Sequence, residues 1–415
     1  MLRGCCLYGD EQSMDTKMRG WMIVFVSTLI VFCSIGMTTA TFSIYIPYFL
    51  KNYGYANSQT SLLVSIRTMA SFLCMFTVTK YFTFFSIRTG MALALLGSVV
   101  GFCIMGSTSY YPLLCFCAFL LGSTYTFASM YPLTLLMNRW FGDKSTVPLS
   151  ISSCGSGVAA VVCPTVITYV IEGYSLSTAF YMDAVVLALA AVMTFTCIKN
   201  SPEEASSVGK AQSKDVPPVH KFRSIPKLHF HLLMLAISFN GALTLAGWGH
   251  FAVLFRTNGY SSMEIAYALS LGGFTLMISK FFYGFITERI HTFKSNFVFC
   301  TLLNFAFLLS GLLPLGYSWT PTLMTLCCGL GAPISTLGVC MWAKEVSSPE
   351  DFPDNLRKLQ TCHPLGGLIF SNIPGVLADL TGSYIPSYFI LSAVGMVSFF
   401  IIQSIYIKNK LYDLQ

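Results

Sequence analysis

Apolar residues in this chain neither alternate with polar ones nor keep to one helical face. They come in runs of about 20 residues, the length an α-helix needs to cross ~30 Å of hydrocarbon. The runs predict twelve spans: 21–50, 59–82, 89–107, 111–138, 147–171, 177–198, 229–255, 263–287, 295–316, 320–343, 360–381 and 385–407. Spans 1 and 7 exceed what a bilayer requires, so they tilt or protrude. A β-barrel would show alternating segments of about ten residues, and the sequence has none. One long polar stretch, 199–228, carries Pro202, Pro217, Pro218, Pro226 and a cluster of lysines and arginines. It reads as a solvated connector. The predicted organisation is therefore an N-terminal six-helix bundle (1–198), a linker (199–228) and a C-terminal six-helix bundle (229–415). The fold class is an all-α integral membrane protein whose two bundles are pseudo-symmetric.

Charge sets the orientation. Of 24 lysines and arginines, only Lys51 and Arg256 fall in loops on one side, and Arg67 and Lys280 fall inside spans. All the others, including Lys80 at the inner end of span 2, lie on the side of the termini and the linker. By the positive-inside rule that side is cytoplasmic, which predicts a multi-pass cell-membrane protein with both termini inside. The chain is 54% hydrophobic and 10% charged, with a mean hydropathy of +0.67. A net charge of +7 follows from these loops and implies no nucleic-acid partner. The 15 cysteines show no paired or metal-ligand spacing, so they read as small hydrophobes, without a disulfide framework or a metal. Cys5 and Cys6 read as unmodified. The first 20 residues lack an apolar run of signal-peptide type. No Walker loop or nucleophile elbow is present, so neither an enzyme nor a cofactor is expected.

The halves repeat one another. At an offset of 205, Phe49–Tyr55 overlays Leu254–Tyr260, Gly54 falls on Gly259, Gly36 on Gly241, and Tyr45 on His250. At an offset of 210, Gly157 falls on Gly367 and Pro164 on Pro374. Parallel repeats of this kind, with a site at their interface, describe a secondary transporter.

The two cations within spans are the candidate chemistry. A cation facing lipid at membrane depth costs at least roughly 2.5–3.5 kcal/mol. Lys280 therefore either meets an anion in a hydrated cavity or snorkels to the interface. Arg67 is deeper. It either grips a carboxylate with two parallel hydrogen bonds or is structural, bonded to backbone carbonyls or to Asp183. No carboxylate lies near the middle of any span; Asp183 and Asp379 come closest, toward the outer ends. An uncompensated positive site favours a dianion or two small monoanions. His363 is expected at the interface, where span 11 begins.

GFITER (Gly284–Arg289) resembles the loop between helices 8 and 9 of the major facilitator superfamily, a glycine followed four residues later by an acid and then a base. In the first half Thr83 stands where that family has aspartate. Within the superfamily the chain looks like the oxalate/formate antiporter and monocarboxylate transporter branch. RWFGDK (Arg139–Lys144), the glycines Gly155 and Gly157, and GVLADLTGSY (Gly375–Tyr384) carry that resemblance. It implies that Lys280 occupies the position of the antiporters' substrate-binding arginine. Their helix 11 lysine has no match, and Leu276 stands where the monocarboxylate carriers have aspartate. Helices 1, 4 and 7 line the cavity in this superfamily, which adds Tyr45, Tyr131, Trp248 and His250 to the substrate-binding candidates beside Lys280 and Arg67. Gly284, Glu288 and Arg289, with Gly157, Pro164, Gly367 and Pro374, become the gating and rocking elements.

These readings predict an alternating-access carrier of a small organic anion, a mono- or dicarboxylate, working by exchange as a monomer in the lipid bilayer. One alternative is a proton-coupled monocarboxylate symporter, with His250 or the substrate carrying the proton. Another is a non-transporting receptor or scaffold on the same fold.

Overall fold

A computed structural model describes residues 18–40, 42–55, 57–200, 221–371 and 373–414. Cys5, Cys6 and most of the linker lie outside the described residues. Among the described residues every regular element is helical. Eight helices are long and apolar enough to cross a bilayer, or nine with the bent pair Leu62–Met75 and Val78–Phe84, which meet at 64°. Two of the eight are too long for one crossing. Ser262–Leu308 is continuous except at His291 (φ 67°, ψ 157°). There the chain doubles back: Thr287 and Ser295 hydroxyls are 2.8 Å apart, and the Tyr283 and Phe299 rings 4.8 Å apart. Tyr111–Gly173 is interrupted in the same way at Gly142 (φ 55°). Dividing those two and adding span 11 accounts for all twelve predicted spans.

Span 11 corrects a boundary. Its helix is Phe352–Phe370, followed after a break by Ile373–Thr381. The opening turns, with Asp354, Arg357 and Lys358, read as loop by hydropathy. They are helical because Asp354 pairs with Arg357 at 2.7 Å and Lys358 at 2.6 Å, three and four residues on, which supports a helix locally. Span 4 breaks between Tyr111–Phe127 and Met130–Phe141, at Ser129 (φ −126°, ψ −135°).

The chain divides into two compact units: Met1–Ala159 with Cys163–Val219, and Ala160–Val162 with His220–Gln415. In the first unit, spans 1 and 5 touch backbone to backbone. A Cβ on Gly155 would lie 2.1 Å from the Thr28 carbonyl oxygen, and one on Gly36 2.1 Å from the Ala159 Cβ. In the second unit, spans 7 and 11 do the same. A Cβ on Gly366 would lie 1.7 Å from the Ser238 carbonyl oxygen, and one on Gly241 2.0 Å from that of His363. Small residues permit such contacts between membrane helices. The repeat legible in the sequence is thus also a repeat of packing.

Spans 1 and 7 share a second feature. Span 1 passes from α-helix into a π-helical segment, Phe32–Ala40, then a 3₁₀ turn, Phe42–Tyr45, before resuming at Ile46–Tyr53. Span 7 runs Lys227–Gly241, then a π segment Ala242–Gly247, a 3₁₀ turn Trp248–His250 and Phe251–Thr257. At the offset of 205 the two 3₁₀ turns overlap and end together, at Tyr45 and His250.

Candidate functional site

Helices interrupted at corresponding positions of two repeats mark transporter sites, because interrupted backbone presents polar groups that regular helices keep to themselves. Such groups still need partners when buried. The partners found here are largely the residues singled out by sequence.

In the first unit the interruption of span 1 is served by span 2. Arg67, 8% exposed, donates from Nη1 to the Thr38 carbonyl at 3.0 Å. Its guanidinium carbon stands 5.3 Å from the centre of the Phe42 ring, a cation–π arrangement. Tyr45 closes the same turn. Its hydroxyl donates to Asp183 Oδ2 at 2.6 Å, a buried bond between spans 1 and 6. Its ring packs on Phe180 (4.6 Å) and at 6.4 Å from Phe42. Tyr125, from span 4, is within electrostatic reach of Arg67. Arg67, Phe42, Tyr45 and Asp183 therefore form one buried neighbourhood, with the half-buried Tyr125 at its edge. Tyr131 lies elsewhere. It faces Thr79 at 3.5 Å and Phe82, and Thr79 is about 18 Å along span 2 from Arg67 at 1.5 Å per residue.

In the second unit the carbonyls of the interruption in span 7 are likewise taken up. Tyr388, from span 12, donates to the Gly247 carbonyl at 2.8 Å. His250 Nδ1 lies 2.7 Å from the Ala246 carbonyl. A carbonyl only accepts, so Nδ1 carries a hydrogen. Within the π segment, Thr244 Oγ1 is 3.0 Å from His363 Nε2. Lys280, 6% exposed, is within electrostatic reach of His363. Trp248 follows Thr244 by four residues on the same face, with its ring against Gly272. Lys280, His363 and Thr244 thus bring spans 8, 11 and 7 together, and Trp248 lies further along the same wall.

His363 overturns one expectation. It is buried, well inside its helix, because span 11 starts earlier than hydropathy indicated. Sequence reading also missed Thr244, Tyr125 and the engagement of Asp183 by Tyr45. An internal repeat locates the interruptions, but no local pattern announces a bond between residues 138 positions apart.

The gating candidates sit as follows. Gly284 is buried, while Glu288 and Arg289 are exposed beside the turn at His291. The buried acid at that end is Glu345, which accepts from Thr292 at 2.6 Å and from the Tyr406 hydroxyl. Pro164 lies within Gly155–Gly173, which also holds the buried Gly157. A Cβ on Gly367 would lie 2.5 Å from the Leu245 side chain. Pro374 is buried at the start of Ile373–Thr381.

A Tyr45→Phe substitution checks how Tyr45 is used. Removing the hydroxyl strips Asp183 Oδ2 of its donor, and Oδ1 has no hydrogen-bond partner. A buried acceptor left unsatisfied costs about 1–3 kcal/mol. Thermal unfolding in detergent should shift down accordingly; a Tyr45 that served substrate alone would leave the midpoint unmoved.

The profile of the Major Facilitator Superfamily matches residues 27–351. The chain belongs to the Major Facilitator Superfamily. Among curated proteins none matches. Two solved structures show the fold of this superfamily member. One is a major facilitator transporter, FucP, in the outward conformation, with 13% identity, 92% of this chain and 98% of that chain covered, and a TM-score of 0.71. The other is the E. coli fucose:proton symporter FucP, in a variant form, with 13% identity, 91% and 97% covered, and a TM-score of 0.68. At that identity the likeness is one of fold. The protein is thus a multi-pass membrane transporter with the twelve-helix, two-bundle architecture of its superfamily, and it moves a small-molecule substrate by alternating access.

Proposed function

We propose that the substrate is a small organic anion, a mono- or dicarboxylate, exchanged across the cell membrane by a monomer whose termini are cytoplasmic. The observation that carries this reading is Lys280, a buried ammonium inside an apolar span, within electrostatic reach of His363, which in turn bonds to Thr244. An ammonium at that depth is stabilised by an anionic guest, and because Thr244 and His363 already share one hydrogen bond, one hydrogen of the pair is left for a carboxylate oxygen when Thr244 gives up its bond to the Asn240 carbonyl. The resemblance to the oxalate/formate antiporter branch at Lys280, Arg139–Lys144 and Gly375–Tyr384 points the same way. Arg67 acts from the first unit, where its grip on Thr38 positions the interrupted helix, and Tyr45 supports that turn. Tyr131, Trp248 and His250 shape the substrate's surroundings. Gly284, Glu288 and Arg289 take part in gating, and Gly157, Pro164, Gly367 and Pro374 in helix movement.

The test is counterflow in proteoliposomes. Vesicles loaded with unlabelled oxalate, formate or lactate should accumulate the labelled anion faster than empty vesicles. Fucose, the sugar named for FucP, should neither enter nor compete. Fucose uptake without carboxylate uptake would overturn the proposal.

A further inference from the structure

Span 7 begins and span 12 ends beside a groove of about 320 Å³ within the second unit. Span 12 contributes Val397, Phe400, Ile401, Ser404, Ile405 and Lys408, which recur at three- and four-residue steps and so share one face. His229 and Leu232 form the opposite wall. The face is graded. Its deep part is aliphatic and aromatic, with Val397 48% and Phe400 60% exposed. A hydroxyl follows, then an ammonium at the last residue of the helix. From Val397 to Lys408 the groove runs about 16 Å at 1.5 Å per residue, close to the depth of one leaflet of a ~30 Å hydrocarbon core.

The rim is cationic and supplies donors. The Asn409 amide nitrogen lies 2.9 Å from His229 Nδ1. The Asn409 amide oxygen lies 3.2 Å from the same ring nitrogen, so the amide ties the His229 ring to the end of span 12. Arg223 donates to the carbonyls of Asn409 (3.0 Å) and Lys410 (2.7 Å), so it adds positive charge at the end of span 12. Lys227 and Lys410 are exposed nearby; of the acids at this end, Asp413 is exposed on the following turn and Glu345 is buried, already accepting from Thr292 and Tyr406. An apolar floor of leaflet depth under a cationic, donor-bearing rim matches one kind of occupant.

We infer that this groove binds an anionic phospholipid, its phosphate at Lys408, His229 and Ser404 and one acyl chain along Val397, Phe400, Ile401 and Leu232. A zwitterionic lipid brings its own cation to the phosphate, so it gains less from this rim. A free phosphate or soluble headgroup gains nothing from the floor.

The full-length protein, purified in detergent and titrated with phosphatidylserine or phosphatidylcholine, can be read by native mass spectrometry. Phosphatidylserine should be retained in preference to phosphatidylcholine. Lys408→Gln should lower the phosphatidylserine affinity about fivefold, the effect expected of one lysine at an anionic membrane surface, and leave phosphatidylcholine unchanged. Val397→Trp, which fills the groove from an exposed position, should weaken both lipids. Soluble glycerophosphoserine should displace neither. Equal retention of the two lipids by the unmodified protein, an unaltered Lys408→Gln or Val397→Trp protein, or displacement by the soluble headgroup would each overturn the assignment. None of these readings depends on which substrate is carried.

Discussion

Replacing Lys280 with glutamine is expected to abolish carboxylate uptake while the protein still folds. Glutamine nearly matches the lysine side chain in reach and keeps hydrogen-bonding capacity, but it cannot neutralise a carboxylate. Removing one partner of a buried, hydrogen-bonded charge pair costs roughly 2–5 kcal/mol, a loss of about thirtyfold to several thousandfold in affinity. Size-exclusion profiles and thermal midpoints in detergent should stay near those of the unmodified protein, since a neutral side chain at 6% exposure is no harder to bury than an ammonium. Lys280→Arg keeps the charge and should retain part of the uptake. If Lys280→Gln transports normally, the residue lies outside the substrate's path, and the case for an anion fails with it.

The second large effect belongs to packing. Gly366→Ala places a Cβ 1.7 Å from the Ser238 carbonyl oxygen. The obstacle is backbone of a neighbouring helix, so relief requires spans 7 and 11 to separate. Overpacking of this kind costs about 1–3 kcal/mol, sometimes more. Separating these spans also disturbs the bond between Thr244 and His363. Loss of stability and of uptake should therefore appear together. Gly375→Ala, where nothing lies within 4 Å of the added carbon, is the control, and helix propensity alone would make it neutral or slightly stabilising. Equal thermal midpoints for the two variants would show that the seam between spans 7 and 11 is looser than this geometry.

Hydropathy located all twelve spans because each needs a lipid-compatible run, and that requirement acts on composition alone. It failed at the start of span 11, where Asp354, Arg357 and Lys358 form helix outside the apolar run. The interruptions in spans 1 and 7 left a partial trace. Tyr45 overlays His250, and each ends its 3₁₀ turn, but nothing in either sequence says that the hydrogen-bonding pattern changes there. Lys280 and Arg67 stood out because charge is rare in apolar runs. For Arg67 the sequence pointed to backbone carbonyls as one alternative without saying which, and for Lys280 it named no neighbour. The Thr38 carbonyl is invisible to any reading of side chains, and His363 looks like an interfacial residue until its helix is extended by two turns. Sequence thus marks where an expensive group sits, while tertiary packing decides what it touches.

The main chain of the two repeats agrees more closely than their charges do. Under the offset that superimposes the interruptions, Arg67 falls on Gly272 and Lys280 on Met75. Duplicated scaffolding thus carries unduplicated chemistry. A guest therefore meets different charges in one repeat and in the other. Capture from one compartment and release into the other need not, then, be equally strong.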